Sequence, residues 1–129
     1  LFLTTACEKE KEDGSQLLEG KWNQRSTLRI DYIDNVKQNE TTFSYQTGKL
    51  VLQIADDGTA KRFTDGVLSD SFYWIVDGNL FITTSNSGVE LKYEFSVSEL
   101  DMNLKWALQS TVDGHVMRSD YSATYKKAE

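Results

Sequence analysis

The chain has no proline, one cysteine and one histidine. A single cysteine cannot close an internal disulfide, so no covalent framework organises the fold. A lone histidine rules out a His-rich zinc centre. His115 follows Asp113-Gly114, and with no serine or cysteine partner placed by motif it reads as an exposed turn residue rather than a catalytic base. No apolar run approaches the roughly 18 residues of a membrane-spanning helix. Basic character is missing too: a net charge of -6 and a pI near 4.8 leave no basic face for phosphate, which argues against nucleic acid. The aspartates recur as Asp57-Gly58, Asp65-Gly66, Asp77-Gly78 and Asp113-Gly114, without the Asp-x-Asp-x-Asp-Gly ladder of a calcium loop, so turn chemistry explains them. No carboxylate pair is nominated for glycoside cleavage. The sequence calls for no metal and no cofactor.

What is present favours strands. The apolar runs are short and rich in Val, Ile, Tyr, Phe and Trp, and 129 residues suffice for one domain with its own core. The clearest signal lies in Phe72 to Thr84, where two apolar runs flank Asp77-Gly78, the signature of a tight hairpin. A two-residue Asp77-Gly78 loop opposes Trp74 to Phe81 and Ile75 to Leu80. One face then carries Tyr73, Ile75, Leu80 and Ile82, the other Phe72, Trp74, Val76 and Phe81. Neither is an ordinary wet face.

Elsewhere each strand has one apolar side. Trp22, Leu28, Ile30 and Tyr32 share a parity opposite Lys21, Arg25, Arg29 and Asp31. Gln24 and Ser26 fall on the apolar parity, which suggests a barrel mouth or polar groups awaiting a ligand. Asp34 to Glu40 reads as a polar loop over a barrel opening, and Gly48 interrupts the pattern before Leu50, Leu52 and Ile54. Leu91, Tyr93, Phe95 and Val97 alternate cleanly; Leu104, Trp106 and Leu108 follow, then Met117, Tyr121, Ala123 and Tyr125. About eight strands joined by close turns predict an all-β, eight-stranded up-and-down antiparallel barrel, with a sandwich as the alternative.

The amino-terminal residues suggest a cellular address. Leu1 to Ala6 reads as the tail of a signal peptide, and small residues before Cys7 resemble a bacterial lipobox, in which the cysteine is lipidated; Leu3 stands four residues before it instead of the usual three. The acidic run from Cys7 to Asp13 resembles the signal that sends lipoproteins of Bacteroidetes-type bacteria to the cell surface. The expected organisation is a signal-peptide remnant and lipobox over 1–7, a tether and leading turn over 8–19, and a barrel over 20–127. The address is the cell envelope, as an outer-membrane lipoprotein anchored through a lipid on Cys7.

Gly20-Lys21-Trp22 resembles the Gly-x-Trp signature of lipocalins and other calycins. Tyr73-x-Ile75, Asp77-Gly78-Asn79-Leu80-x-Ile82 and the closing Thr124-Tyr125-Lys126-Lys127 resemble the lipocalin-like domains of Bacteroidetes lipoproteins. The resemblance implies a lipocalin-like barrel with Trp22 as its plug and a cation stacked on that ring, for which Arg118 or Lys126 are the candidates. Gly20 to Gln24 with Trp106 also echoes avidin, too briefly to imply biotin.

The inward aromatics Tyr73, Tyr93, Phe95, Trp106 and Tyr121 either fill a core or line a cavity for a small apolar or aromatic molecule. Phe72, Trp74 and Phe81 then fall on the outer wall, where Leu17 and Leu18 cover them or they form a surface for an envelope protein partner. Should Trp74 lie inside, the turn is three residues long. The function expected is a surface-tethered binding module and no enzyme; the alternative is an enzyme or enzyme inhibitor on a calycin barrel.

Overall fold

A computed structural model describes residues 15–128. Cys7, with the lipobox and the acidic tether, lies outside the described residues. The short helix α1 (Ser15–Leu18) leads into nine strands: β1 (Gly20–Ile33), β2 (Val36–Ser44), β3 (Leu50–Ile54), β4 (Thr59–Thr64), β5 (Val67–Asp77), β6 (Leu80–Ser85), β7 (Glu90–Val97), β8 (Asp101–Val112) and β9 (His115–Lys127). Strand β1 and strands β3 to β9 pair antiparallel in order, and β9 returns to β1, closing an eight-stranded barrel of lipocalin-like form. Closure leaves these strands no free edge where they meet.

The ninth strand occupies the segment expected to be a loop. Asp34 and Asn35 both adopt positive φ, 50° and 66°, as a two-residue type I′ hairpin turn demands. Residues after them therefore fold straight back along β1 as β2, paired only with Ser26–Ile33. Strands β8 and β9 pair from Asp101 and Lys126 out to Val112 and His115, whereas β7 follows β8 only from Met102 to Lys105. The distal halves of β1, β8 and β9, with β2, thus leave the barrel as a four-stranded arm.

A bulge corrects the parity expected for β1. Gln24 opposes Tyr125 and Ser26 opposes Thr124, so Arg25 is one extra residue, and everything beyond it changes face. Trp22 and Gln24 point inward; past the bulge Thr27 and Arg29 share the inner face with Ala123 and Tyr121. Leu28, Ile30 and Tyr32, expected inside, lie on the outer face.

The β5–β6 hairpin is corrected in a different way. Asp77 pairs with Leu80 and Trp74 with Thr83, so the two-residue loop is Gly78-Asn79, one position later than expected. Only Gly78, at φ 61°, is left-handed there, the arrangement of a type II′ turn. The two faces keep their expected membership, but their sides are exchanged. Phe72, Trp74 and Phe81 are buried in the core, while Tyr73 and Ile75 are 56% and 62% exposed on the outer wall. Three rings bury more apolar area than a tyrosine and isoleucines do, and the Tyr73 hydroxyl remains in solvent. Trp74 is inside with a two-residue turn, and its indole N–H donates to the Ala55 carbonyl at 2.9 Å. Leu18 joins these rings within the core rather than covering them from outside, and Leu17 is exposed.

Trp22, expected to plug the barrel, is fully buried. Its indole N–H donates to the Leu18 carbonyl at 2.8 Å, which ties α1 across the barrel floor. The cation on its ring is Lys127, with Nζ 4.5 Å from the centroid and donating to the Glu19 carbonyl. The two expected candidates are engaged elsewhere: Arg118 lies over Tyr32 in the arm, and Lys126 pairs with Asp101.

Candidate functional site

Gln24, Arg62, Tyr93, Trp106 and Tyr125 line a half-open chamber of about 230 Å³. Each comes from a different strand and from an inward position. Gln24 is the last inward residue of β1 before the bulge and opposes Tyr125 on β9. Arg62 on β4 opposes Leu52, a core residue, at the point where a bulge shifts β4 against β5. A smaller space of about 150 Å³ shares Gln24 and Arg62 with the chamber and reaches Thr64 and Ser69.

A run of aromatic rings supports the two, Tyr93 and Trp106, that line the chamber. Trp74, Phe81, Tyr93, Trp106 and Tyr121, one from each of five successive strands, contact one another at centroid separations of 5.9, 6.2, 5.4 and 5.1 Å. Tyr93 meets Trp106 edge-on at 76°, and Trp106 stacks on Tyr121 at 4°. The Arg29 guanidinium closes the series 5.8 Å from the Tyr121 centroid. Edge-on and stacked neighbours fix the orientation of the Trp106 ring, so the wall is held before anything binds.

The polar groups are sparse and specific. Gln24 Nε2 donates to Thr27 Oγ1 at 2.8 Å, which holds the amide in place. The Arg62 guanidinium sits 5.0 Å over the Phe72 ring. Its nearest carboxylate, exposed Asp70, is 3.9 Å away, beyond hydrogen-bond length. Among the described residues neither Arg62 nor the hydroxyls of Tyr93 and Tyr125 make a side-chain hydrogen bond. Burial pushes the Tyr125 phenol up to about 12, against the opposing pull of Arg62. That hydroxyl therefore stays protonated, and available as a donor, at any physiological pH.

The expected cavity residues divide. Tyr93 and Trp106 line the chamber; Tyr121 stacks on Trp106, and these two also line a larger hollow described below; Phe95 packs against the core without lining the chamber. Tyr73 is on the outside. Gln24, marked out by its polarity on an apolar parity, is part of the site. Arg62 and Tyr125 were missed as site residues: Tyr125 appeared only as core, and the position of Arg62 depends on the register of β4 against β3. A larger hollow of about 590 Å³ lies on the outer wall, where the bulge-displaced Leu28 and Ile30 face Leu80, Lys92 and Lys105. It is open to solvent, and its lysines are balanced by Glu94 and Asp120. His115 is at the arm's tip, its Nδ1 2.6 Å from Asp34 Oδ2. Among the described residues no three of His, Cys, Asp and Glu gather as a metal site would need.

No protein-family model matches this chain, and no curated protein matches its sequence.

Proposed function

We propose that this protein is a lipocalin-like binding module that holds a small apolar or aromatic molecule in the interior chamber, tethered to the outer membrane of a Bacteroidetes-type cell through a lipid on Cys7. The observation that carries the reading is the chamber itself, walled by Tyr93, Trp106 and Tyr125. Ligand sites characteristically combine a preformed apolar wall with a few placed polar groups. A guanidinium, an amide and the protonated Tyr125 phenol can orient a ligand.

Fluorescence titration with the neutral probe 1-aminonaphthalene tests the chamber. One saturable site, weakened at least about tenfold by Trp106→Ala, is the expected result. Absence of saturation would remove the binding reading. The anchor is tested separately by labelling cells with a clickable palmitate analogue: the label should follow the intact protein and vanish in Cys7→Ala.

A protein partner is the second reading, supported by the exposed Tyr73 and Ile75. Such a partner would contact these residues, because Phe72, Trp74 and Phe81 are interior.

A further inference from the structure

We infer that the ligand of the interior chamber is an acid: a small molecule with a flat apolar body and one carboxylate, the carboxylate held by Arg62. This rests on the binding reading above and adds the chemical class. Arg62 occupies an inward position opposite core residue Leu52, with one face of its guanidinium covered by the Phe72 ring at 5.0 Å. The Arg62 side chain is 36% exposed, and its forked N–H groups match a carboxylate in two parallel bonds. Its one ion-pair partner, Asp70, is half-exposed and too distant, at 3.9 Å, to take those bonds; an exposed pair of that kind is weak.

The rest of the lining agrees with an anion. Tyr93 and Tyr125 bring hydroxyls with no protein hydrogen bond among the described residues. No carboxylate lines the chamber, so the one formal charge in its lining is that of Arg62. The flat body follows from the Trp106 ring, which Tyr121 and Tyr93 hold in one orientation, and the volume of about 230 Å³ limits that body to a small ring system.

The test compares 1-naphthoate with its neutral isostere 1-naphthamide by calorimetry on the purified protein. The expected result is naphthoate binding at least about tenfold tighter, with the preference falling to within about twofold in Arg62→Met and partly retained in Arg62→Lys. Lys61→Met, an outward lysine on the same strand, should leave the preference intact and so control for loss of positive charge. Equal binding of the two probes, or a preference that survives Arg62→Met, overturns the acid inference and leaves the binding reading standing. If neither probe binds, both fall.

Discussion

Gly20 is fixed by a residue from the other end of the chain. Its φ is 124°, and a Cβ there would run into Lys127 Nζ, the cation seated on the Trp22 ring. Gly20→Ala should therefore cost about 1–3 kcal/mol, combining backbone strain with loss of the lysine contact. Urea denaturation measures this, and the cost should shrink when Lys127 is already alanine; strict additivity of the two changes would disprove the contact. Tyr125 gives a second expectation at this scale. Its folded pKa, about 12, exceeds the ordinary value of 10.0, so its contribution is complete below pH 10 and is lost as pH rises through about 12. The loss approaches about 3 kcal/mol once both states are ionised. An absorbance titration should resolve one late-ionising tyrosine, absent in Tyr125→Phe.

At the scale of elements, the β5–β6 hairpin separates what alternation can decide from what it cannot. Period-two patterning correctly grouped Phe72, Trp74 and Phe81 on one face and Tyr73, Ile75 and Ile82 on the other, because shifting a two-residue loop by one position preserves those groups. It could not decide which apolar face turns inward; that depended on which set of rings filled the barrel. Trp74→Ala should cost about 3–5 kcal/mol, whereas exposed Ile75→Ala should stay within about 1 kcal/mol in the same denaturation assay. Equal effects would contradict the assignment. The site was half-legible for a related reason. Tyr93 and Trp106 stand on clean alternating stripes, but Arg62 becomes a site residue only through its pairing with Leu52 across β3 and β4, and no local pattern encodes that register.

As a whole the molecule is a compact barrel with a thin arm. The barrel buries Trp22, Leu52, Phe81 and Leu104 almost completely, while every residue of β2 and all of Leu108 to Val112 are exposed. Hydrogen exchange should therefore release the amides of β2 and the distal half of β8 well before those of β3 and β6; uniform protection would mean that the arm is packed in solution. The eight-stranded closure was readable from turn spacing and one-sided strands. The arm was not, because Asp34 to Glu40 carries the polarity of a loop although only Asp34 and Asn35 turn and the strand begins at Val36. The extra residue at Arg25 sets where barrel becomes arm, and it also acts as a change of reading phase within one strand. Tolerance to polar substitution should fall at even positions up to Gln24 and at odd positions from Thr27. A one-residue deletion at 25 would exchange Leu28 and Ile30 with Arg29 and Asp31 between the two faces, so a length change that most turns absorb would here invert half a wall.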